Sequence, residues 1–232
     1  MNIEWIGLLA SYLYAGALLG ISELLHRQLK ISNDITRKMV HIGAGMWIFG
    51  VLYFFHTWQI GVIPFATFIG LNYLFYRVKL FRGIDSDTAS PGTIYFAFAI
   101  TVISMVFWRP AGPIDHAPAV VAGIMTMTWG DALAALIGKH YGRHRYTING
   151  GTRSYEGSAV MFGVSLLVIA LSLSLLPGSS LTPYADLPST TAIVIASIAG
   201  ATTATVVEAL SPHGTDNLTV PICVTLVALI AG

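Results

Sequence analysis

Long apolar runs, each broken by a short polar stretch, set the pattern of this chain. A membrane-crossing helix needs roughly 20 mostly apolar residues. Runs of about that kind fall at Ile3–Leu25, Met39–Phe55, Gln59–Tyr76, Pro91–Trp108, Pro118–Gly138, Ser158–Leu176, Thr190–Leu210 and Leu218–Gly232. The pattern predicts an all-α, polytopic integral membrane protein of seven or eight spanning helices, the last run being short. Trp5, Trp47, Trp58, Tyr76 and Trp108 mostly fall near the proposed ends, as an interfacial belt does. Neither a repeat nor a low-complexity tract interrupts the series, so residues 1–232 read as one domain. Gly178–Ser180 and Pro183–Pro188 form a polar surface loop.

Composition agrees with this reading. Only 10% of the residues are charged and 55% are hydrophobic, against about 25% charged in soluble domains. Mean hydropathy is +0.71. The net charge of +1 gives no reason to expect a nucleic-acid partner. The single Cys223 cannot form an internal disulfide, so no oxidising compartment is implied. Glu4 stands at the head of the first apolar run and no basic n-region is present, which favours a retained first helix over a cleaved signal peptide.

Charge placement adds a direction. Arg27, Lys30, Arg37 and Lys38 follow the first run; Arg77, Lys79 and Arg82 follow the third; Lys139, Arg143, Arg145 and Arg153 follow the fifth. Arg109 alone lies on the other side, so eleven of twelve basic residues share one face, which the positive-inside rule makes cytoplasmic. With eight spans both termini face away from the cytoplasm. Glu23, Asp34, Asp85, Asp87, Asp131, Glu156, Glu208 and Asp216 gather on the same face, with Glu4, Asp115 and Asp186 opposite. A layer that mixes acids and bases suits Mg²⁺ and phosphate together, carboxylates for the hard cation and Arg or Lys for phosphate oxygens.

Within that layer Asp131 stands out, about two helical turns inside the end of an apolar run, where a carboxylate is costly unless it faces a protein cavity. Gly130, Ala134, Gly138 and Gly142 recur every four residues beside it and predict a close helix contact. The stretch Lys139–Arg153 is a basic loop spaced by Gly142, Gly150 and Gly151, which fits either an anion nest or contact with anionic headgroups. It is not a P-loop, because its Lys lacks the required glycine and hydroxyl neighbours. Arg153 and Glu156, three apart, are placed to pair at the start of the sixth helix. Arg37 and His41 share a helix face next to Gly45. Glu208 sits just inside the seventh run, as Asp131 does in the fifth, and Asp216 and Asn217 either join it or cap the last helix. Ser90–Tyr95 enters the fourth run on this face and is placed to present backbone to a ligand.

Three blocks in order, TRKMVHIGAG (Thr36–Gly45), GDALAALIGKHYG (Gly130–Gly142) with TRSYEGS (Thr152–Ser158), and VEALSPHGTDNLTVP (Val207–Pro221), resemble the polyprenol kinase family of phytol, farnesol and dolichol kinases and CTP-dependent diacylglycerol kinases. The resemblance covers most of the chain, and DNLTVP looks most like phytol kinases of photosynthetic organisms. It implies transfer of the γ-phosphoryl group of CTP to a membrane isoprenoid alcohol such as phytol, farnesol or geranylgeraniol, with Mg²⁺, in a bacterial or cyanobacterial inner or thylakoid membrane. The residue before the Ser of TRSYEGS is commonly Lys in such families and is Arg153 here, so a planar fork replaces a point charge.

On that resemblance Asp131, Glu208 and His41 are the catalytic candidates. Arg37, Lys38, Lys139, Arg153 and Asn217 are the candidates for nucleotide and phosphate. Asp131, Glu156, Glu208 and Asp216 are the candidates for Mg²⁺. The isoprenoid tail is expected in an apolar groove opening to lipid, with its hydroxyl at the cytoplasmic boundary. Two rivals differ in kind. A phosphatidate cytidylyltransferase-like enzyme shares the middle block but releases pyrophosphate rather than CDP, and this chain lacks a second acid-rich signature at its C-terminal end. A transporter places its charges near the midplane and has related halves, neither of which is visible here.

Overall fold

The apolar runs fold as helices whose starts carry polar caps. The computed structural model describes residues 2–78, 91–110, 112, 114–212 and 214–231. Lys79, Arg82, Asp85, Asp87, Ser90 and His213 lie outside the described residues. In chain order come α1 (Ile3–Leu29), α2 (Asn33–Phe54), the single turn α3 (Trp58–Gly61), α4 (Ile63–Val78), α5 (Gly92–Phe107) and α6 (Ala117–Met125). A π-helical turn (Thr126–Asp131) then leads into α7 (Ala132–Tyr141). The strands β1 (Arg145–Ile148) and β2 (Gly151–Ser154) follow, and then α8 (Tyr155–Leu175), α9 (Thr190–Leu210) and α10 (Asp216–Ala231). Asn2, Ser154 and Ser189 accept from the backbone N–H of Glu4, Gly157 and Ala192, satisfying otherwise orphaned first-turn donors.

Among the described residues, five helices are long and apolar enough to cross a membrane: Ile3–Leu29, Trp58–Phe75, Ala117–Tyr141, Tyr155–Leu175 and Thr190–Leu210. Helices α5 and α10 are apolar but shorter. Helix α2 has the length, but Asp34, Arg37, Lys38 and His41 occupy its first turns and reduce its apolarity. The expected boundaries shift in several places, most at α2, which begins at Asn33 rather than Met39. The first helix runs on to Leu29, the third run is offset at Val62 between α3 and α4, and the fifth continues past Gly138 to Tyr141.

The rod formed by α6, the π turn and α7 is the centre of the fold. Of its most apolar window 72% is buried, against 11% for α1. Helices α2, α5, α8 and α10 pack around it, with α9 against α8 and α10, α1 against α2, and α4 against α5. The apolar core includes Ile48, Val51, Phe96, Ile124, Met127, Met161 and Val224. The exposed apolar side chains of α1, α8 and α9, such as Leu13, Leu167 and Ile195, face outward as lipid-facing residues do.

The small-residue stripe acts as a close-packing face. A side chain at Gly130 would meet the Met161 sulfur at 2.9 Å, and one at Gly138 would meet Ser154 Oγ at 3.0 Å. Gly45 permits the approach of α2 to the π turn, because a Cβ there would lie 1.9 Å from Thr128 Oγ1.

The basic stretch is not a loop throughout. Its first part completes α7 and the rest is a β-hairpin, with Arg145 opposite Ser154 and Ile148 opposite Gly151. Asn149 (φ 49°) and Gly150 (φ 78°) make the two-residue turn, both left-handed, as a type I′ hairpin requires.

Candidate active site

The site is assembled where α2, α5, α7, β2, α9 and α10 present their ends to one another. Lys38 of α2 forms an ion pair with Asp131 at the end of the π turn. His41, one turn further along α2, places Nε2 3.8 Å from the Asp131 carboxylate and 3.1 Å from the Met127 carbonyl. Nε2 donating to that carbonyl leaves Nδ1 as the acceptor nitrogen. The π turn widens the rod just where Asp131 and Met127 meet α2, and such turns frequently mark functional positions.

Arg153 on β2 ties the other side together. Its Nε lies 2.5 Å from Glu208 at the end of α9, and its terminal nitrogen lies 3.5 Å from Asp216 at the start of α10. The side chains of Asp131, Glu208 and Asp216 are each about nine-tenths buried. Uncompensated carboxylates there would be costly, and Lys38 and Arg153 provide the compensation. Outside this layer, Lys139 pairs with Asp34 across α7 and α2, and the hydrogen bond from Lys139 holds the half-exposed Asp34 carboxyl below its usual range.

Two adjoining cavities, of about 310 and 400 Å³, open on these groups. Both are walled by Asp131, Lys139, Arg153 and Asp216, the first also by Glu208 and Arg145, the second by Arg37, Lys38, His41 and Asn217. Each lies within the range of about 300–1,000 Å³ usual for ligand sites. A third, apolar cavity of about 110 Å³ runs between α1, α2, α4 and α5. His41, Val40 and Thr93 line both it and the larger polar cavity, so the two adjoin at these residues.

Of the candidates read from the sequence, Asp131, Glu208, Asp216, Lys38, His41, Arg37, Lys139, Arg153 and Asn217 all wall the polar cavities. Asn217 does so from the start of α10, where its side-chain amide donates to Gly214 O at 3.2 Å and Asp216 Oδ1 at 3.0 Å. Arg37 has no ion-pair partner among the described residues. Two expectations are corrected. Arg153 does not pair with Glu156, because the residue belongs to β2 and points at α9 and α10. Glu156 instead pairs with His144, 2.8 Å away, and does not line the cavities, so it is not brought to the other acids. Arg145 and Phe96 join the walls without having been singled out. Arg145 reaches the wall from β1, where it stands opposite Ser154, a register that the run of basic residues did not announce.

The donor chemistry fits Mg²⁺ in one particular way. Asp131, Glu208 and Asp216 are hard oxygen donors on one cavity, but among the described residues no three His, Cys, Asp or Glu side chains converge into a metal cage. Mg²⁺ is usually held by one or two carboxylates together with substrate phosphates and water. The residues suit a cation carried in with a polyphosphate.

The fold and site define a class: a helical membrane protein whose buried acid–base cluster adjoins an apolar groove. The comparisons with known proteins narrow the class. A phytol kinase from Synechocystis sp. is 34% identical over 226 residues, which is 96% of this chain and 89% of that protein. A probable chloroplastic phytol kinase 2 from Glycine max is 28% identical, covering 90% of this chain and 68% of its own, and a probable chloroplastic phytol kinase from Zea mays is also 28% identical, covering 90% and 70%. No family model matches the chain, and no solved structure matches it. The chain belongs to the phytol kinase-like polyprenol kinase family.

Proposed function

We propose that this protein is a kinase of membrane isoprenoid alcohols. It transfers the γ-phosphoryl group of CTP to the hydroxyl of phytol, geranylgeraniol or farnesol. The observation that carries the reading is that a polar cavity walled by paired acids and bases and an apolar groove meet at His41 and Thr93, which line both. A kinase for a lipid alcohol needs that junction, because its two substrates arrive from different solvents. The family relationship supports the acceptor class.

Roles follow from position. Asp131, beside His41 at the groove end and paired with Lys38, accepts the alcohol proton. Glu208 and Asp216, on the Arg153 side, face the nucleotide phosphates. Bound with the nucleotide, Mg²⁺ would be held by these two and would offset developing charge on the phosphates. Arg37, Lys139 and Arg153 supply the cationic contacts to phosphate oxygens, Lys139 after leaving Asp34. The alcohol oxygen bonds to the γ-phosphorus as the bridging bond to the β-phosphate breaks, and CDP leaves. The protein is read as multi-pass with this site at the cytoplasmic face of the membrane.

The test is purified protein assayed with CTP, ATP, UTP and GTP against phytol, geranylgeraniol, dolichol and diacylglycerol. CDP and a prenyl monophosphate are the expected products; pyrophosphate would mark a cytidylyltransferase instead. Asp131→Asn is expected to lower kcat at least a thousandfold while the protein still inserts and keeps its elution volume. Near-normal turnover in that variant would remove the central role given to Asp131.

A further inference from the structure

The apolar cavity is too small for a whole isoprenoid tail, and its size says which part of the alcohol is read. At about 110 Å³ it is smaller than the roughly 150 Å³ apolar cavity that accommodates one benzene molecule. One five-carbon unit fills it. Its long dimension is set by α2: His41 stands at the mouth and Trp47 at the floor, six residues apart, or about 9 Å at 1.5 Å per residue. The floor is braced. Trp47 stacks on Tyr14 with ring centres 4.5 Å apart and donates to Ser11 Oγ at 3.0 Å, while Tyr14 donates to the Gly43 carbonyl at 2.9 Å. At the mouth the His41 ring lies 4.5 Å from the Phe96 ring, and Asn72 of α4 donates to the Thr93 carbonyl of α5. The remaining wall, where Leu18 and Phe68 are half-buried, faces the outside of the helix bundle.

We infer that the acceptor is recognised by its head isoprene unit alone, enclosed between His41 and Trp47, while the rest of the tail leaves past Leu18 and Phe68 into lipid. The inference rests on the kinase reading above and sharpens it. The specificity-determining residues are Ala44, whose small side chain keeps the cavity open, and Trp47, which closes it. The branching methyl of the head unit is what the cavity measures, and one methyl group in such a pocket is worth about tenfold or more in discrimination. Tail length beyond the head unit confers none.

The experiment measures kcat/KM for the C10, C15 and C20 prenols and for unbranched 2-alkenols of matching length, with concentrations expressed as mole fraction in detergent micelles. The expected result is a spread of less than about threefold across the prenols and at least a tenfold deficit for every unbranched partner. Ala44→Leu is expected to raise the prenol KM at least tenfold and leave the CTP KM within twofold. Trp47→Ala is expected to shrink the branched-over-unbranched preference. A steep rise in kcat/KM with tail length, or equal use of unbranched alcohols, overturns the inference while leaving the kinase reading intact. If no alcohol is phosphorylated, both fall together. The wild-type series decides the matter even where a variant fails to fold.

Discussion

Arg153 concentrates the chemistry of this site in one side chain. Its guanidinium spans two acids on two helices, Glu208 at 2.5 Å and Asp216 at 3.5 Å, and the fork can serve both because its nitrogens are fixed in one plane. A Lys ammonium is a single point and reaches one acid at a time. Arg153→Lys is therefore expected to leave Glu208 or Asp216 underpaired, raising the KM for CTP about tenfold and costing roughly 1–2 kcal/mol of stability. The check is a CTP titration alongside thermal unfolding in the same detergent; an unchanged KM removes the bridging role. The importance of this residue was legible in the sequence, since a basic residue between glycines and a capping Ser stands out in a chain so poor in charge. Its partners were not. The rule for residues three apart applies within a helix, and Ser154 caps α8 one residue after Arg153, so that rule had no purchase. Lys38 shows the same limit, because nothing local to α2 announces a partner 93 positions away.

Two short elements decide where these side chains go, and they differ in how far they could be read. The long helices follow from apolar runs of spanning length, and most boundaries moved by only a few residues, the start of α2 by six because its polar first turns precede the apolar run. The hairpin was written in the chain as Asn149-Gly150 between alternating residues, a strong turn signal, but glycines among basic residues also fit an open phosphate loop. The π turn had no signature, since a hydrogen-bond shift of one residue leaves the apolar pattern of Ala117–Tyr141 intact. The hairpin can be tested on its own. Gly150 has φ 78° and nothing within 4 Å of where a Cβ would stand, so a substitution there strains the backbone without a clash. Gly150→Val is expected to cost roughly 1–3 kcal/mol locally and to loosen β2. Because β2 carries Arg153 and contributes nothing to the apolar groove, the KM for CTP rises several-fold while the KM for the alcohol holds. Kinetics with each substrate varied in turn would show this; a change confined to the alcohol would argue against the hairpin as the nucleotide-side element.

The whole molecule has two polar ends of different character, and that difference bears on orientation. At one end Glu4 accepts from the backbone N–H groups of His56 and Thr57 and from the Thr57 hydroxyl, and Asp115 accepts from Arg109 and Ala117. Each of these acids is used up in closing a chain turn, and Arg109 lies over the Trp58 ring, 4.7 Å from its centre, where an interfacial aromatic belongs. The opposite end holds the cavities, the hairpin and the basic residues of α2 and α7. Structural polar groups at one end and an open acid–base cavity at the other fit a soluble nucleotide arriving from a single side. On the proposed reading, the Lys and Arg excess at the cavity end makes that side the cytoplasmic one. Single cysteines placed in a Cys223→Ser background test the orientation directly. His144→Cys, on the hairpin side, is expected to resist a membrane-impermeant maleimide in intact cells and to react in inverted vesicles. Ser180→Cys, in the turn between α8 and α9, is expected to do the reverse. Should the two exchange behaviour, the cavity would open away from the CTP pool, and the nucleotide assigned to it would have no route in.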